Sequence, residues 1–147
     1  MNTHPYLRAY MAGIVVPTIV LLLLLTGFVI ARFVCQVPIP IERAMIFPMA
    51  IVPSVFGLWN MFYLRLHPHR LPIGFHGAIL PLLLMPGGYL LGRTLGILTL
   101  QPGGIVYFQA VTVPYTFFAI GFSFGLIAYY LIWKYLIGFF NQVLGIA

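Results

Sequence analysis

Uncharged, apolar stretches run between successive arginines at nearly constant length. Arg8 and Arg32 enclose 23 uncharged residues, Arg43 and Arg65 enclose 21, and Arg70 and Arg93 enclose 22. A helix rises ~1.5 Å per residue, so each interval reaches roughly 30–35 Å, the thickness of a bilayer's hydrocarbon core. A charge inside that core costs at least ~2.5–3.5 kcal/mol, whereas an arginine at the rim keeps its head in water. Runs such as Ile19–Leu25 lack the in/out alternation of a barrel strand, and backbone groups in lipid must be satisfied internally, so the spans read as helices.

The pattern predicts spans at about 9–31, 44–64, 73–92 (extending as far as 98) and 113–138. The 40 uncharged residues between Arg93 and Lys134 are too many for one crossing. Gln101-Pro-Gly-Gly104 divides them, and Pro then Gly at the central positions is a type II turn signature. Its flanks, Ile97–Leu100 and Ile105–Phe108, are rich in β-branched and aromatic residues and predict a hairpin within 97–110, with a re-entrant loop as the alternative. Pro38 and Pro40 favour an extended chain over 33–41. Four spans put that segment on the hairpin's side of the membrane. Thr112 and Pro114 are placed to open the last helix. The expected fold is all-α integral membrane: a single domain over 1–147, a four-helix transmembrane bundle with a small extramembranous β-hairpin and extended cap.

Composition agrees. The chain is 63% hydrophobic and 5% charged with mean hydropathy +1.10, against about 25% charged residues in soluble domains. The net charge of +6 comes from cations dispersed along the rims rather than gathered on one face, which argues against nucleic acid and for lipid headgroups. Cys35 is the only cysteine, so no internal disulfide forms. Arg8, Arg65, Arg70 and Lys134 share the side of both termini, and Arg32, Arg43 and Arg93 the other. Four against three favours cytoplasmic termini.

Chemistry is sparse. Glu42, the one acidic residue, falls in the first turn of the second span, where the helix dipole favours a carboxylate. Proton coupling and carboxylate catalysis therefore lack an intramembrane acid. No nucleophile, zinc or phosphate-loop motif is present, and no cofactor, metal or catalytic residue is expected. Trp59, Asn60 and Tyr63 cluster with Arg65, His67, His69, Arg70 and His76 around the second connector. An interfacial belt explains them; a headgroup or anion pocket, and a three-histidine metal site, are the alternatives. Asn60 is expected to hydrogen-bond across to a neighbouring helix, and Arg93 to sit at the rim or in a polar cavity.

Small residues give the sharper signal. Gly88, Gly92 and Gly96 fall at i, i+4 and i+8 on the third span, and Gly121 and Gly125 repeat the spacing on the fourth, a pattern that lets backbones approach within a bundle or between subunits. Pro86-Gly87-Gly88 predicts a kink or local unwinding. The expected function is a non-catalytic assembly, scaffold or accessory subunit, whose partners are membrane lipids, its own copies or other membrane subunits. A small oligomeric channel or carrier for an anion or neutral solute, using Pro86–Gly88, Arg93 and Asn60, is the alternative, and an enzyme acting on membrane lipid ranks below it.

Overall fold

The computed structural model describes residues 4–38, 42, 46–66 and 71–146, with Phe47 placed by its backbone alone. Four helices are long and apolar enough to cross a membrane. Helix α1 spans Pro5–Val29 and continues as a π-helical turn over Ile30–Val34. Helices α2 and α3 cover Phe47–Leu66 and Ile73–Thr94. Strands β1 (Leu98–Gln101), β2 (Gly104–Tyr107) and β3 (Val111–Val113) follow. Helix α4, Tyr115–Leu131, runs through a π-helical segment, Ile132–Ile137, into α5, Gly138–Val143. Hydroxyls inside the spans are satisfied locally: Thr18, Thr26 and Ser123 each donate to the carbonyl four residues back, as a medium without water requires.

Several expected boundaries shift, each for a visible reason. The last span does not stop at 138. Lys134 lies outside, over the rings of Tyr130 and Tyr135 at 5.8 and 5.1 Å, so its stem covers apolar surface while the helix continues to Val143. Phe33 and Val34 are helical rather than extended. Gln36 then takes φ 53° and Val37 N–H returns to Ala31 O, while the Arg32 guanidinium donates to Val37 O at 3.1 Å. Residues 33–38 thus cap a helix, and they contribute no strand to the sheet; residues 39–41 lie outside the described residues.

The third span ends by a Schellman motif. Gly96 adopts φ 66°, its N–H bonds Arg93 O, and Ile97 N–H bonds Gly92 O at 2.8 Å. That use satisfies otherwise orphaned helix-end carbonyls. Gly96 is therefore a terminator, not the third member of a glycine face. Upstream, α3 runs through Pro81 and Pro86 as one continuous helix, so the expected unwinding at Pro86–Gly88 does not occur.

The cap is a three-stranded antiparallel sheet in the order β1-β2-β3 rather than a lone hairpin. Leu98 pairs with Tyr107 and Gln101 with Gly104; Ile105 pairs with Val113. Gly103 lacks the positive φ that a type II turn needs, and Gly104 instead takes φ 156°. A Cβ on Gly104 would meet the Val113 carbonyl and Pro114 Cα, so only glycine lets β2 lie this close to β3. Thr112 sits in β3 and caps nothing; Pro114 precedes the first turn of α4. Gly104→Ala is expected to loosen the sheet. The measurement is faster proteolytic cleavage within 97–110 in detergent at unchanged helical circular dichroism.

Packing is divided between the two ends. Ala9, Ala12, Gly13 and Pro17 of α1 are buried, with Phe56 and Asn60 of α2, Gly74, His76, Gly77, Leu80 and Pro81 of α3, and Trp133, Ile137 and Asn141 beyond α4. All of these lie in the half nearest the termini. Phe56, Leu80, Trp133 and Ile137 form its apolar centre. Along Tyr115–Leu131 α4 has no fully buried residue. In the opposite half Met85–Gly88 is exposed through a full helical turn, while Gly92 and the sheet residues Ile105 and Val106 are buried. Small residues explain the difference. Cβ atoms on Gly13, Gly57 and Gly74 would meet, at 2.5–3.0 Å, atoms of α2, of α1 and of the Tyr130 ring respectively. Bulkier residues at these places would hold the helices apart.

Candidate functional site

Two features stand out: a buried polar node at the closed end and an apolar cleft at the open one. The node is built from Asn60, which the sequence singles out, and Asn141, which it does not. Asn60 Nδ2 donates to Asn141 Oδ1 at 2.7 Å and to Ala9 O at 2.8 Å, and Asn141 Nδ2 donates back to Asn60 Oδ1 at 3.1 Å. Both side chains are essentially fully buried, 0% and 1% exposed. Trp133, Ile137 and Asn141 recur at steps of four and present one face inward, which carries the amide to α2. Beside it the Arg8 guanidinium donates to Leu144 O at 2.9 Å, satisfying a helix-end carbonyl. These bonds hold the two ends of the chain together on one side.

Around the second connector the structure gathers part of the expected cluster. The Trp59 indole donates to the His76 carbonyl at 2.9 Å, and the His76 ring meets Tyr63 edge-on at 5.0 Å. His76 is buried. Arg65 is instead exposed in the last turn of α2, on a shallow groove of about 430 Å³ shared with Tyr6 and Phe62. His67, His69 and Arg70 lie outside the described residues. Among the described residues no group of three histidine, cysteine or carboxylate side chains is placed to hold a metal.

At the open end a cleft of about 640 Å³ lies between α2, α3, α4 and the sheet, with Pro48, Pro86, Gly88, Ile105 and Phe118 in its wall. A second recess of about 460 Å³, lined by Val55, Leu84 and Tyr129, meets it at Pro48 and Gly88. Arg93 is exposed in the last turn of α3. Asn60 and Arg93 thus sit at opposite ends of the bundle and line no common path. The glycines divide as well. Gly92 packs against the Leu98 side chain, whereas Gly88, Gly121 and Gly125 have no atom within 4 Å of where a Cβ would stand. No family model, curated protein or solved structure matches the chain.

Proposed function

We propose that this chain is a non-catalytic membrane subunit whose role is assembly, joining copies of itself or other membrane proteins through the outer face of α4. The observation that carries the reading is the pair Gly121 and Gly125, with no atom within 4 Å of where a Cβ would stand, on a helix with no fully buried residue. An apolar side chain facing lipid is neutral. Glycine in a helix is not, since each costs about 0.8–1 kcal/mol relative to alanine. Two of them one turn apart fit a site where a second helix comes close, because in lipid the gain comes from backbone contact and not from a hydrophobic effect. The exposed rings of Phe117 and Phe124, 70% and 68% accessible, flank that stripe and offer the contact area. Both termini are assigned to the cytoplasm on the balance of arginine and lysine, four against three.

Gly121→Leu is expected to shift the native-membrane extract to a smaller species on a native gel and to abolish α4 cross-linking, with helicity retained. A wild-type protein that is monomeric at membrane concentration and whose migration Gly121→Leu leaves alone would overturn the proposal, as would purification as a stable monomeric enzyme.

A further inference from the structure

The geometry points to a lipid site: we propose that the cleft between α2, α3, α4 and the sheet holds an acyl chain of one anionic phospholipid, its headgroup at Arg93. The cleft lies within the depth that α3 spans, between Met85 and Gly92. Its wall is apolar, and its volume of about 640 Å³ falls in the range of small-molecule sites, roughly 300–1,000 Å³. A recess of that size in a bilayer is not left vacant, because its lining would forfeit its dispersion partners, and apolar walls do not hold water. The material at hand is a lipid chain. The joined recess past Gly88 extends the channel along α4 from Tyr115 to Tyr129, 14 residues or roughly 21 Å of helix, which suits a long unbranched chain.

The polar groups sit at one end, as a headgroup requires. Of the two described cations on the sheet side, Arg32 is committed to Val37 O. The Arg93 guanidinium makes no hydrogen bond or ion pair with the described residues. It follows Tyr89 by four residues, so both lie on one face of α3, and Tyr89 lines the cleft. Of the three tyrosines in the lining, Tyr115 donates to Gln101 O at 2.8 Å. The Tyr89 and Tyr107 hydroxyls have no partner among the described residues and are free to donate to phosphate or ester oxygens. A cation one turn beyond Tyr89 on the same helix face selects an anionic head over a zwitterionic one.

The experiment is native mass spectrometry of the protein released from nanodiscs of equimolar phosphatidylglycerol and phosphatidylcholine. One phosphatidylglycerol per chain is expected to survive graded activation. Arg93→Gln should reduce that preference about fivefold, the factor one rim cation contributes against an anionic surface. A Cβ at Gly88, in the cleft wall, meets no neighbour within 4 Å, so Gly88→Leu is expected to keep its helicity, checked by circular dichroism, and to abolish retention of both lipids. Arg65→Gln at the far end should change nothing, and neither should Gly121→Leu, which tests assembly instead. Equal retention of the two lipids, wild-type occupancy in Gly88→Leu, or a second protein chain in place of lipid would each overturn the assignment.

Discussion

Asn141→Ala is expected to destabilise the folded bundle by about 2–4 kcal/mol, measured by steric trapping or denaturant titration in mixed micelles. Interhelical hydrogen bonds in membranes average about 0.6 and reach about 1.7 kcal/mol, and a buried amide left without its partner costs about 1–3 kcal/mol more. Asn141 supplies one donor and one acceptor to Asn60, and nothing else in the described node replaces them. The amide pair should therefore behave as a unit. Asn60→Leu combined with Asn141→Leu removes both polar groups at once and is expected to cost less than the two single changes added. Strict additivity, or an Asn141→Ala protein within ~0.5 kcal/mol of wild type, would place the stability elsewhere.

The second large effect is expected at Gly13. Its missing Cβ lies 2.6 Å from Phe56 O, 2.9 Å from Gly57 Cα and 3.0 Å from Asn60 Cβ. Two of those atoms are backbone and cannot swing aside. Gly13→Leu must push α1 off α2, which breaks the Asn60–Ala9 bond as well as the packing, so a loss of about 3 kcal/mol or more is expected. Gly27 on the same helix has nothing within 4 Å. Gly27→Leu is expected to be neutral or to raise stability, by up to ~1 kcal/mol through helix propensity. Unfolding midpoints of the two variants, measured side by side in the same micelle, check the contrast. Similar losses in both would mean that α1 does not meet α2 at Gly13.

The spans were readable because charge and bilayer thickness are coarse, long-range constraints: arginines cannot enter, and α1 to α3 end within a few residues of where they stand. Lys134 broke the rule because its ammonium lies over the Tyr130 and Tyr135 rings while the helix runs on to Val143, and that hid Asn141 beyond an apparent rim. The first hairpin of the cap was legible from Gln101–Gly104. Strand β3 was not, because its turn uses Phe108 and Gln109 at φ 53° and 57°, with Ala110 N–H bonded to Tyr107 O. Neither residue carries the asparagine or glycine signature of such a turn, so tertiary pairing and not local preference forms it.

Glycine spacing misled for a related reason. The regular series at 88, 92 and 96 mixes an open position, a packing position and a helix terminator, whereas the tight crossing uses Gly13 against Gly57 and Ala9 against Asn60. Ala9-x-x-x-Gly13 has the same four-residue step and was equally present in the sequence; a lone pair of small residues is simply too common to be chosen unaided. Asn60 could be flagged because an amide in a long apolar helix is rare, yet its partner could be found only once the helices were placed.

The bundle is closed at the end of its termini and open at the sheet. Spin labels placed singly along α3 in a Cys35→Ser background, in monomeric nanodiscs, test it most directly. Collision with oxygen reports hydrocarbon exposure, and collision with a water-soluble reagent reports water. Labels from Ile73 to Leu80 should show oxygen accessibility that rises and falls with the helical period, since one face is packed. Labels at Met85, Pro86, Gly87 and Gly88 should all be accessible to oxygen and all protected from the aqueous reagent. A helical period continuing through 85–88, or the aqueous reagent reaching those four positions, would contradict the account.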